Sequence, residues 1–165
     1  MNIVRLKIIA LALLASITYA ETTAPSFRDF QAKERFTGSP APVEITSHPK
    51  AGRFRTVLRR GAKSGPNFAG HFTIVTWGCG TACQEFAIVD AKTGRVYFPS
   101  SIRLNAYQMV HDETEPFQYR KDSNLLIIAG SPDDEEDKLG LFYYEWTGHD
   151  FKLIQEVKRT FEPKK

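Results

Sequence analysis

Residues 68 to 90 read FAGHFTIVTWGCGTACQEFAIVD, and this stretch limits the possible folds more than any other. Two runs rich in β-branched and aromatic residues flank a short segment, Gly78 to Cys83, that holds both cysteines of the chain. Such runs read as strands, and glycine on either side of a cysteine implies backbone torsions that larger residues resist. The spacing predicts strands over 68–77 and 85–90, joined by a tight and unusual turn. Alternation along the first strand places Phe68, Phe72 and Ile74 on one face and His71, Thr73, Val75 and Trp77 on the other.

The start of the chain bears on the chemistry of those cysteines. Arg5 and Lys7 precede an apolar run from Ile8 to Ile17, and Ala20 offers a small residue for cleavage. This is the layout of a secretory signal peptide, and the run is short for a bilayer span. The expected mature chain is soluble, periplasmic or secreted, with no membrane insertion after cleavage. Removing residues 1–20 leaves 20 basic residues against 19 acidic ones, a balance that gives no argument for nucleic acid. The remaining length suits one domain with a single substantial core.

In an oxidising compartment, two cysteines form a pair by default. A Cys79–Cys83 bridge closes a five-residue loop, for which the chain-entropy estimate is about 2 kcal/mol. Its larger expected effect is local, fixing the shape of a glycine-rich tip. Three other readings compete with the plain staple. A redox pair lacks the Cys-x-x-Cys spacing at a helix start that lowers a thiol pKa. A thiol enzyme or small hydrolase would use His71 with Cys79 or Cys83, which requires a free sulfur. A recognition tip, compatible with the staple, would present Asn67, His71, Trp77 and Gln84 to a partner or small ligand.

The run GPNFAGHFTIVTWGCGTACQ, with FRTVLRRGA before it and AIVDAKTGRVYFP after, resembles a family of small exported bacterial proteins of unknown function. These share an Asn-Phe-Ala-Gly-His element and a Trp-Gly-Cys-Gly element, and the likeness is best over residues 47–99. The resemblance implies a periplasmic or secreted β-rich domain and brings no activity, substrate or catalytic assignment.

The rest of the chain supplies the expected architecture. Residues 21–46 mix proline, threonine and charge without periodicity and read as a mobile leader that becomes ordered near Phe36 or Val43. Ser47 suits a helix cap, Pro49 a first turn, and Phe54, Val57, Leu58 and Ala62 recur at helical spacing. Further strands are expected at 95–98, 117–120, 125–129, 140–146 and 151–157, with Gly94 taking a positive φ in the hairpin loop at 90–94. Leu125 to Ala129 has no polar side and reads as a central strand. The expected division is a signal peptide at 1–20, the leader at 21–46, one β-rich domain at 47–160 and a tail at 161–165. The fold class is α+β: a mainly antiparallel sheet of six or seven strands, or a curled half-barrel, with one N-terminal amphipathic helix.

Other candidate groups carry less. The acidic run 133–137 fits no calcium-loop spacing and reads as a solvated loop. His48, His111 and His149 lack the pairing of a zinc site, so neither metal nor cofactor is expected. Asp112, Glu113 and Glu115 read as an exposed loop. Phe117, Tyr119, Tyr143, Tyr144 and Trp146 invite a sugar-binding reading, yet strand aromatics are mostly core. The expected function is an exported binding or accessory module, such as an inhibitor of an envelope enzyme, with the Trp77–Gln84 tip as contact surface. Its partner would be an envelope protein or small ligand. The rivals are the thiol enzyme or hydrolase on His71 and a purely structural envelope component.

Overall fold

A computed structural model describes residues 23–111, 113–135 and 137–162. The expected signal peptide and Asp112 lie outside these residues. The described chain forms a helix α1 (Arg55–Ala62) and eight strands: β1 (Phe72–Gly80), β2 (Cys83–Asp90), β3 (Val96–Tyr97), β4 (Leu104–Ala106), β5 (Phe117–Tyr119), β6 (Leu125–Pro132), β7 (Gly140–Trp146) and β8 (Phe151–Lys158). The strands pair in the order β1-β2-β4-β6-β7-β8, with β3 on β2 and β5 on β6. Every strand pairing is antiparallel, and the sheet does not close into a barrel. The α+β class therefore stands, with one strand more than expected.

The sheet curls, and the curl encloses the main core. Phe72 and Ile74 of β1, Phe86 and Ile88 of β2, Leu126 and Ile128 of β6, and Phe142, Tyr144 and Trp146 of β7 all bury into one cluster. The ring of Phe72 reaches to 5.3 Å from that of Trp146, so the first strand touches the seventh across the interior. Tyr143, Tyr144 and Trp146 are buried, and these rings form core and not a sugar platform. Burial leaves Leu125, Leu126, Ile128 and Ala129 without solvent contact, as a central strand requires.

The opposite face of β1 and β2 carries the second cluster. Val75, Ala87 and Val89 pack there under Leu58 and Ala62 of α1. The helix is shorter than its periodicity predicts, and Ser47 does not cap it. The Ser47 hydroxyl instead donates to the Glu44 carbonyl at 2.6 Å and accepts from the Val96 N–H at 2.9 Å, pinning the approach to α1 against β3. The first strand also begins later than expected, at Phe72, because Ala69 (φ 44°) and Gly70 (φ 81°) turn the chain sharply.

Residues 26–46 differ most from expectation. Where the sequence reads as a mobile leader, the chain is a strap hydrogen-bonded to the domain along its length. Phe30 O accepts from Asn124 N, Ala32 N donates to Asp122 O, Phe36 N to Gly70 O, Ala41 N to Ala91 O and Glu44 N to Gly94 O. Gly70 and Gly94, both at positive φ, lie directly against the strap carbonyls of Glu34 and Pro42. Phe161, expected in the tail, is buried.

A side chain at position 70 would strike the Glu34 carbonyl and sit in a disfavoured torsion. Gly70→Ala is expected to destabilise the fold by at least about 1 kcal/mol in urea unfolding. Gly52→Ala, whose added methyl meets nothing within 4 Å, should stay within about 0.5 kcal/mol of the parent.

Candidate binding site at the stapled hairpin

The register of β1 on β2 places Trp77 opposite Glu85, Gly78 opposite Gln84 and Gly80 opposite Cys83. One irregularity falls between Gly78 and Gly80, so Cys79 is the extra residue of a bulge. Cys79 and Cys83 are disulfide-bonded, with their Cα atoms 5.2 Å apart. Gly80 (φ 153°) and Ala82 (φ 47°) provide the torsions that let the chain reverse inside so short a ring. Gly78 to Thr81 are exposed. From the other side, Tyr107 N donates to Ala82 O at 2.8 Å, and β4 pairs with Cys83, Gln84 and Glu85. The tip is thus exposed but held at its base by a covalent link and a neighbouring strand.

Trp77 does not stand on the exposed tip. Its ring stacks on Phe54 at 4.5 Å and meets Phe98 edge-on at 6.2 Å, while its Nε1–H donates to Glu85 Oε2 at 3.0 Å. His48 lies 4.7 Å from Phe98, and Lys50 and Arg53 lie over the Phe98 and Phe54 rings. Beside this group opens a recess of about 150 Å³ with Phe54, Phe98, Glu85, Lys50 and Arg103 in its walls. An aromatic floor, one carboxylate oriented by an indole N–H and two cations at the rim can hold a small polar group or a peptide side chain. Sequence reasoning missed Phe54, Phe98 and Glu85. Only Glu85 had a local signal, as the cross-strand neighbour of Trp77 in any regular hairpin.

The other proposed contact residues lie elsewhere. Asn67 spends its amide on the backbone of one residue: Nδ2 donates to Ile74 O at 3.1 Å, and Oδ1 accepts from Ile74 N at 2.8 Å. His71 precedes β1, at the end away from the staple, and strand rise puts it roughly 25 Å from Cys79. Its ring contacts Phe72 at 4.1 Å, with Nδ1 3.8 Å from Glu34 and Nε2 3.9 Å from Asp90. The Lys92 ammonium contacts Glu34 from the other side. The structure therefore brings Trp77 and Gln84 together with the disulfide, and separates Asn67 and His71 from them. No free cysteine occurs among the described residues, and no group of histidine, cysteine or carboxylate side chains there could hold a metal.

No family model, curated protein or solved structure matches the chain at a significant level.

Burial lowers the His71 pKa; Asp90 opposes this shift, Lys92 reinforces it and Glu34 opposes it. A base whose folded pKa lies below its unfolded value, near 6.5, is bound to fewer protons in the native state. Its contribution is therefore present above the unfolded value and lost as the pH falls through the folded one. His71→Phe should flatten the fall in unfolding free energy on acidification below about pH 6.5. An unchanged pH profile would show that the imidazole titrates as it does in the unfolded chain.

Proposed function

We propose that the protein is an exported binding module whose contact surface is the stapled β1–β2 tip with the aromatic recess at its base. The observation that carries this reading is the Cys79–Cys83 bond at the end of an exposed hairpin. A disulfide adds about 2 kcal/mol at most here, small beside a core of this extent, so its value lies in holding the tip in one shape. A preformed tip binds without a large ordering cost. A disulfide and the absence, among the described residues, of any helix long and apolar enough to cross a membrane are compatible with an extracytoplasmic site. The signal-peptide pattern of residues 1–20 and the resemblance to small exported proteins support the periplasm or the exterior. The partner is an envelope protein or a small ligand, with inhibition of an envelope enzyme as one form of that role.

The thiol-enzyme alternative finds no supporting geometry. Both sulfurs are bonded to each other, and the imidazole that would activate one lies at the far end of β1. An imidazole between two carboxylates, without a nucleophile beside it, fits a structural role under the strap.

Affinity capture from an envelope extract separates the readings. The native protein should retain a species that Cys79→Ser/Cys83→Ser loses, while His71→Ala retains it in full. The double variant forfeits only about 2 kcal/mol of stability and should remain folded, which circular dichroism checks. Equal capture by native and double-variant protein would contradict the tip as contact surface.

A further inference from the structure

The proposed tip belongs to a strand that is also the edge of the sheet. β1 pairs on one side with β2, and among the described residues no strand lies on its other side. The hydrogen bonds fix which backbone groups face outward. Ile74 N–H and C=O are both taken by the Asn67 side chain, so they point away from β2. The register runs unbroken from Phe72 to Gly78, and outward-facing pairs alternate in an antiparallel ladder. Thr76 and Gly78 therefore turn their N–H and C=O groups outward as well. Phe72 is covered by the bridge to Phe68 and Ile74 by Asn67; Thr76 and Gly78 have no such cover in the described chain.

Natural edge strands usually carry charge or proline that discourages added strands. The opposite edge, β8, follows that rule with exposed Lys152, Glu156 and Lys158. β1 does not follow it. From Phe72 to Gln84 the chain has neither a charged residue nor a proline. Gly78 is exposed, and a methyl group there would meet nothing within 4 Å, so no side chain overhangs the strand at that position.

Charge identifies the occupant. Residues 45 to 84 contain no aspartate or glutamate, yet include Lys50, Arg53, Arg55, Arg59, Arg60 and Lys63, all exposed. The helix that bears Arg55, Arg59 and Arg60 lies on β1, with Gly61 against Val75 and its N-cap residue Phe54 against Trp77. Two copies meeting at this edge would set these cations against each other. Resting on the binding reading above, we infer that β1 receives an acidic peptide segment in extended form, which adds as a strand to Thr76–Gly78 while its carboxylates face the cations of α1 and its approach. Main-chain bonds give such docking its affinity, and side-chain charge gives it selectivity.

The probe is an octapeptide alternating glutamate and valine, used at about 1 mM with the protein as isolated and followed by amide hydrogen exchange. Exchange at Thr76 and Gly78 should slow at least about tenfold, with little change at Ile74, whose N–H is already bonded. The lysine-valine counterpart should produce no slowing. Methylating alternate peptide nitrogens should remove the effect with the protein unaltered. Gly78→Pro should remove it too, because it deletes an outward N–H and favours the extended Trp77 that β1 already has. Unchanged exchange at Thr76 and Gly78, or equal slowing by the lysine peptide, would overturn the inference. So would slow exchange at both positions in the protein without peptide, which would show the edge already covered, or a dimer that Gly78→Pro abolishes, which would assign it to a second copy. If capture from the envelope extract depends on the disulfide but not on position 78, the binding tip stands and strand addition falls.

Discussion

The pairing of β1 with β2 governs the rest of the molecule. Its register runs from Phe72 opposite Asp90 to Gly80 opposite Cys83, and it assigns each residue of both strands to a face. Phe72, Ile74, Phe86 and Ile88 turn into the curl of the sheet, while Val75, Ala87 and Val89 turn toward α1. A slip of one residue would exchange those sets and place large rings under a helix whose contact positions suit smaller side chains. The disulfide closes the same hairpin and opposes such a slip at its free end. Trp77 owes its place between Phe54 and Glu85 to this register.

The hairpin has two ends of different character. At the buried end, the turn through Ala69 and Gly70 passes beneath the strap, and His71 sits among Glu34, Asp90 and Lys92. That end joins the N-terminal strap to the domain through hydrogen bonds and charge. At the far end the chain is exposed, uncharged and covalently closed. A groove of aromatic rings and an open strand edge lie beside it, under a helix rich in arginine. In the proposed reading, structural and recognition roles are thus distributed along one strand, with the residues that anchor the fold away from the proposed contact surface.

Much of the architecture was legible because it is written in local periodicity. Period-two runs announce β1, β2 and β7, Leu125 to Ala129 announces the central strand, and Gly94 marks its hairpin by a torsion other residues avoid. β4 escapes this reading because Leu104–Ala106 is held by backbone pairing to β2 and β6, with the buried Asn105 amide donating to Ala129 O. Such a strand has no pattern of its own. Ser47 near Pro49 looks like a helix start, but its hydroxyl is claimed by Glu44 and Val96, a contact spanning 49 positions. The proposed binding site was half legible for the same reason. Trp77, Cys79, Cys83 and Gln84 follow one another closely, whereas Phe54 and Phe98 reach Trp77 from separate elements. Asn67 looked like a ligand donor because nothing in the sequence shows that its amide completes the edge of β1.

The account depends on the two sulfurs being joined in the folded protein. Thiol titration of the unreduced protein tests this most directly, first in native buffer and then in denaturant. The account predicts no reactive sulfhydryl in either condition. Two free thiols would contradict it, leaving the tip unconstrained and the preformed contact surface without its physical basis.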